Sequence, residues 1–154
     1  MMRSAVFPFS AVIGQDAVKL ALLLNIVNPV IGGVLISGDK GTAKTTLVRG
    51  LAQLRGGLRV IDIPLGITED RLTGGIDMES AVKKGVRRFE KGLLGEADGQ
   101  FVFVDEVNLL SDHIANILVT VSSQGENIVE REGISASHPC RFVLVGSMNP
   151  EEGL

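Results

Sequence analysis

The residues best placed to do chemistry lie between Val34 and Thr46, VLISGDKGTAKTT. Gly38, Gly41, Lys44 and Thr45 keep the spacing G-x-x-x-x-G-K-[ST], with Ala43 standing where a second glycine is expected. A loop that wraps a triphosphate must aim several backbone N–H groups inward, which glycine allows at low steric cost. A helix that follows the loop adds free N–H groups and its dipole. The loop residues Gly38, Asp39, Lys40, Gly41, Thr42, Ala43, Lys44, Thr45 and Thr46 then form a nucleotide cradle. In it Lys44 reaches the β- and γ-phosphates of ATP and the Thr45 hydroxyl ligates Mg2+. The residue before the lysine is expected at the helix start with negative φ, where alanine is well suited.

A second constellation follows about sixty residues later, at Phe101-Val-Phe-Val-Asp105-Glu106. Four apolar residues followed by two acids describe a strand buried on both faces that ends in carboxylates. Chemistry gathers at the carboxyl ends of strands in an open parallel sheet, so Asp105 and Glu106 belong beside the phosphate loop. Asp105 suits a Mg2+ site and Glu106 suits a general base that polarises the attacking water. Phe142 to Gly146, FVLVG, is another buried strand, and Ser147, Met148 and Asn149 end it at the same edge. Asn149 could bind the attacking water or the γ-phosphate; an asparagine before Pro150 is also an ordinary turn residue.

The remaining elements must position these groups. Phe7 to Gln15 is an irregular opening segment, followed by a helix over about Asp16 to Val27. That helix is apolar on most sides and is therefore expected to be buried. The helix after the loop carries Leu47, Val48, Leu51 and Leu54 and closes at Gly56-Gly57. Arg59 to Ile63 reads as a short strand, Leu65 to Gly75 as a loop, and Asp77 to Gly92 as a helix broken by Gly85. That last stretch holds Lys83, Lys84, Arg87, Arg88 and Lys91, read as a solvated face or as a surface for a partner or a nucleic-acid backbone. A helix over about Ser111 to Ser123 points Ile114, Ile117, Leu118 and Val121 inward. Alternation around Gly133 between Asn127 and Cys140 predicts a β-hairpin.

With 154 residues the chain fits one domain with a sizeable core. A net charge of −3 disfavours a general nucleic-acid coat. Cys140 is the single cysteine, which excludes an internal disulfide and suits a reducing compartment. The longest apolar runs are too short to span a bilayer, and the first ten residues lack a signal peptide's apolar region. The expectation is a soluble cytoplasmic protein with no membrane association, or one whose targeting segment is not in this chain. His113 and His138 have no metal-ligand spacing.

FPFSAVIGQ (7–15), GDKGTAKTT (38–46), PLGITEDRLTGGIDMESAVKKG (64–85), GLLGEADGQFVFVDEVNLLSDH (92–113) and VEREGISASHPCRFVLVGSMNPEEG (129–153) together resemble the AAA+ ATPase module of the magnesium chelatase I subunit and its chelatase relatives. The resemblance runs nearly end to end. It implies an α/β fold: a three-layer P-loop NTPase (AAA+) with a mostly parallel sheet and a β-hairpin insertion. Residues 1–154 would form the N-terminal part of the ATP-binding core, with a second-helix insertion at about 74–91 and the hairpin at about 127–141. Lys44 and Thr45 then belong to Walker A and Asp105 and Glu106 to Walker B. Asn149 becomes the sensor-1 residue, and Ile13, Gly14 and Gln15 fall where such proteins contact adenine.

The implied function is the ATP-hydrolysing motor subunit of a metal chelatase that drives Mg2+ insertion into protoporphyrin. Its implied partners are copies of itself in a ring, hexameric at full length, a D-type AAA+ subunit, and a large subunit that holds the tetrapyrrole. A cobaltochelatase-type subunit, a MoxR-like chaperone and a helicase-type nucleic-acid remodeller are the alternatives. The family's arginine finger, fifth core strand, helical lid and sensor-2 arginine lie beyond Leu154, so the resemblance implies a form truncated after sensor 1. Two expectations follow: the phosphate-loop strand has a free edge that can template association, and the chain alone binds nucleotide weakly and hydrolyses it very slowly.

Overall fold

The structure is a computed structural model that describes residues 7–39, 41–77, 82–83, 85, 88–131 and 133–150. Its centre is a four-stranded parallel sheet in the order β1-β8-β5-β2. The strands are β1 (Gly33–Ser37), β2 (Val60–Asp62), β5 (Phe101–Val104) and β8 (Val143–Met148). Two antiparallel pairs lie outside it, β3 (Gly74–Ile76) with β4 (Phe89–Lys91), and β6 (Glu126–Arg131) with β7 (Ile134–Pro139). The helices are α1 (Asp16–Val27), α2 (Lys44–Gly50), α3 (Glu69–Thr73) and α4 (Asp112–Gln124).

Side-chain alternation along the strands builds three layers. Phe101 and Phe103 of β5, Val143 and Val145 of β8, and Ile36 of β1 face one side and pack with Leu22 of α1 and Leu47 and Val48 of α2. Val102 and Val104 of β5 and Phe142 face the other side and pack with Leu72 of α3 and Ile114, Leu118 and Val121 of α4. The all-buried β5 is why its sequence shows a continuous apolar run rather than alternation. α4 starts at Ser111, whose Oγ accepts from the Ile114 N–H at 3.4 Å, and stops at Gly125, which takes φ 72.

β1 and β2 are the two edges of the sheet among the described residues, and a free edge at β1 is what the resemblance implies. Leu35 on that strand is 62% exposed and lines an apolar groove with Val30, Val119 and Leu144. No helix among the described residues is long and apolar enough to cross a membrane.

Four local expectations are corrected. α1 is not buried on most sides, since Leu20, Leu24 and Val27 are exposed and only Leu22 and Asn25 are buried; one face meets the sheet and nothing described covers the other. The segment 65–75 is not all loop, because Glu69–Thr73 makes one helical turn with two acids in its first turn. The broken helix expected over 77–92 does not reach its far end, since Phe89–Lys91 is a strand paired with Gly74–Ile76; residues 78–81, 84 and 86–87 lie outside the described residues. Gly74 permits that pairing, because a Cβ there would lie 2.5 Å from the Phe89 ring. Of the basic cluster, Lys84 and Arg87 lie outside the described residues. Finally, Ala43 takes φ 60 and ψ 17, left-handed rather than helical. The loop must reverse direction immediately before Lys44, and this is the conformation that does it.

Candidate functional site

The neighbouring parallel strands β1, β8 and β5 all end at one side of the sheet. β1 delivers the loop from Gly38 into α2, β5 delivers Asp105 and Glu106, and β8 delivers Ser147, Met148 and Asn149. These segments line one cleft of about 430 Å³, walled by Gly41 to Thr46, Asp105, Glu106 and Ser147 to Asn149. Residues far apart in sequence are thus brought together as expected. Lys40 lies outside the described residues.

Within the cleft the side chains are tied to one another. The Lys44 ammonium donates to the Gly38 carbonyl and, at 2.8 Å, to the Asp39 carbonyl, so it folds back over its own loop. Thr42 Oγ1 donates to the Asp39 carbonyl at 2.8 Å and tightens the turn. Gly41 takes φ 82, a conformation that glycine adopts without strain. Thr45 Oγ1 donates to Asp105 Oδ2 at 3.2 Å, which joins the loop to the end of β5. The Glu106 backbone N–H donates to Ser147 Oγ at 3.2 Å, and Ser147 Oγ in turn donates to Asp105 Oδ1. Glu106 itself takes φ 54, one of three non-glycine residues with positive φ among those described. Asn149 is buried to 8% exposure at the rim of the cleft.

The opening segment is only partly assembled here. Gln15 Nε2 donates to the Thr42 carbonyl at 3.2 Å, so the segment touches the loop. Ile13 is 97% exposed, and neither it nor Gly14 lines the cleft. Sequence reasoning missed Ser147. Its signal was register: β5 and β8 pair Phe101 with Val143 through Val104 with Gly146, so the next step sets Ser147 level with Asp105.

A glycine- and lysine-bearing loop at a strand end, facing two acids on the next-but-one strand, is the arrangement of a nucleotide phosphate site. The family model for the AAA domain (dynein-related subfamily) matches residues 33–154. The chain belongs to this family. The AAA domain here is 47% identical to the magnesium-chelatase 38 kDa subunit of Rhodobacter capsulatus, over 96% of this chain and 51% of that protein. It is 46% identical to the magnesium-chelatase subunit ChlI of Synechocystis, over 98% of this chain and 53% of that one. It superposes with a TM-score of 0.83 and 46% identity on a chain from a cryo-EM-based complex between subunits BchI and BchD of magnesium chelatase, covering 97% of this AAA domain and 57% of that chain. The chain therefore spans about half the length of the curated relatives it matches. The Rhodobacter alignment runs over 180 residues, so that relative also carries residues with no counterpart among the 154 here.

Proposed function

We propose that this AAA domain binds ATP and Mg2+ in the cleft at the ends of β1, β5 and β8, and that it belongs to the motor subunit of a metal chelatase that inserts Mg2+ into protoporphyrin. The observation that carries the reading is the junction of Thr45 with Asp105 at 3.2 Å, which closes a phosphate loop onto an acidic strand end. The chelatase assignment is supported by 47% identity to a magnesium-chelatase subunit along 96% of the chain.

The residues present fit the group. The Lys44 ammonium sits on carbonyl oxygens of its own loop, and phosphate oxygens are stronger acceptors for the same protons. Thr45 and Asp105 offer the hard oxygen donors that Mg2+ takes. When bound, MgATP supplies the phosphoryl group and part of the charge neutralisation for its transfer. This chain's residues do the rest. Lys44 would hold the β- and γ-phosphates, and Thr45 and Asp105 would hold the metal. Glu106 accepts a proton from the attacking water, and the Asn149 amide orients that water.

In this reading the β6–β7 hairpin corresponds to the insertion ahead of sensor 1, and 74–91 to the second-helix insertion. The partners are further copies in a ring, a D-type AAA+ subunit and a separate tetrapyrrole-binding subunit. The structural relative is itself a complex between subunits BchI and BchD, which supports the second of these.

The test is calorimetric titration of ATP, with and without Mg2+, into this chain and its Lys44→Ala variant. Mg2+-dependent binding that the substitution abolishes is the expected result. Binding of equal strength in both would overturn the site, and no binding by the parent would overturn nucleotide capture by this domain.

A further inference from the structure

The geometry points to Ser147 as a positioning residue that sets both acids of the site through one hydroxyl. The inference rests on the nucleotide-site reading above and deepens it. Ser147 is 1% exposed, so its hydroxyl must find partners within the protein. Both partners belong to the acidic strand end: Oγ accepts the Glu106 N–H at 3.2 Å and donates to Asp105 Oδ1. The other Asp105 oxygen accepts from Thr45. The carboxylate is therefore held at both oxygens, from β8 on one side and from the phosphate loop on the other. Hydrogen bonds at both oxygens restrict the rotation of this carboxylate and orient its remaining lone pairs.

The bond to Glu106 has a separate consequence. Glu106 takes φ 54 without being glycine, a conformation that the surroundings must impose. Its N–H is anchored on Ser147, which fixes the turn that directs consecutive acids to different tasks. Ser147 shares the side-chain parity of Val143 and Val145, which pack in the α1–α2 layer. It thus continues the core upward into the site and stands on a rigid strand rather than on a loop. A serine kept only to satisfy itself at a strand end would need one partner and would have no reason to choose these two groups.

The expected consequence is a specific loss of coupling between metal and nucleotide. In Ser147→Ala, ATP affinity without Mg2+ should stay within about twofold of the parent, because Lys44 and the loop are untouched. The enhancement of ATP affinity by Mg2+ should fall roughly tenfold, about what one hydrogen bond to a charged group contributes. Ser147→Thr keeps the hydroxyl and should recover most of the coupling. In an Asp105→Asn background, Ser147→Ala should remove little further coupling, since its effect runs through Asp105. The measurement is calorimetric titration of ATP at several Mg2+ concentrations, with thermal unfolding of every variant.

A Ser147→Ala protein that keeps the parent's Mg2+ enhancement would overturn the proposal. So would equal losses with and without Mg2+, which describe a merely structural role, or losses that add fully to those of Asp105→Asn. If the parent shows no Lys44-dependent ATP binding, the nucleotide-site reading falls and this inference with it. If the parent couples Mg2+ to ATP and Ser147→Ala does also, only the role of Ser147 falls.

Discussion

Ala43→Gly separates two accounts of the phosphate loop by the sign of a stability change. Were Ala43 helical, glycine there would cost about 1 kcal/mol, the usual difference in helix propensity. The structure instead gives Ala43 φ 60 and ψ 17. Holding an L-residue left-handed costs roughly 1–2 kcal/mol, and glycine removes that cost. Against this, glycine's extra freedom in the unfolded chain costs about 0.4–1 kcal/mol. The half-buried Ala43 methyl packs against the α1–α2 core cluster, and losing it costs about half of the ~0.8 kcal/mol of a fully buried group. The sum is a gain of roughly 0.4 kcal/mol. For a domain of this size that is about +1 °C in Tm, against a fall of about 2–4 °C for the helical alternative. Urea titration of the two proteins, compared at equal m, reads the difference directly. Ala43→Val supplies the control, since a β-branched residue at positive φ should destabilise by more than the alanine does. A loss of 1 kcal/mol or more in Ala43→Gly, with Ala43→Val tolerated, would refute a left-handed Ala43.

Two further predictions concern protons. Cys140 is fully buried, and burial pushes its thiol up to about 11, with the Asp98 carboxylate adding to the shift. The folded state therefore keeps a proton that the unfolded chain has released, so stability should be intact below about pH 9 and decline as pH rises toward 11. A urea midpoint that rises over that interval would contradict this, and at pH 8 a disulfide reagent should label native Cys140 far more slowly than the urea-unfolded thiol. Glu69 is held below the usual carboxylate range, chiefly by its hydrogen bond from His113 at 2.6 Å and further by Arg131, against a smaller opposing effect of burial. That contribution is present above the ordinary carboxylate pKa and is lost as pH falls below it. Glu69 is about a third exposed, so Glu69→Gln should cost only ~0.5–1 kcal/mol at pH 6 and progressively less as pH falls below the ordinary carboxylate range. Denaturant midpoints of parent and variant across pH 3–6 test the convergence. At the edge of the sheet, Leu35→Lys should suppress any concentration-dependent association seen by sedimentation.

What the sequence revealed follows from where burial leaves a pattern. β5 and β8 stand out because strands covered on both faces must be apolar throughout, and α4 stands out because its buried Ile114, Leu118 and Val121 repeat with the helical period. The hairpin of β6 and β7 was legible from alternation about Gly133. That the loop after β1 and the acids after β5 share one cleft was legible because each follows an apolar run read as a strand of one parallel sheet. β3 and β4 were not, since three-residue strands have no period and their pairing is decided by the fit of Gly74 under Phe89. α3 is one turn, too short for a stripe. α1 misled because a helix apolar all round carries no phase, so its composition alone cannot say which side meets the sheet.

Ser147 belongs to a third kind of residue, visible only once register is known. Its type is common and its neighbours in sequence say little, yet the parallel pairing of β5 with β8 sets it opposite Asp105. The same register places Gly146 opposite Val104, where a Cβ would press on Val107 at 3.1 Å and on Leu35 at 3.2 Å. The end of β8 is therefore constrained on both faces, by packing at Gly146 and by hydrogen bonding at Ser147. A strand end held in this way can present Asn149 to the cleft from a fixed position. Because Thr45, Asp105 and Ser147 are joined in one hydrogen-bonded chain, displacement of any one should be felt by the others. That hydrogen-bonded chain runs from the loop after β1 through the end of β5 to β8, the strand that lies between them in the sheet.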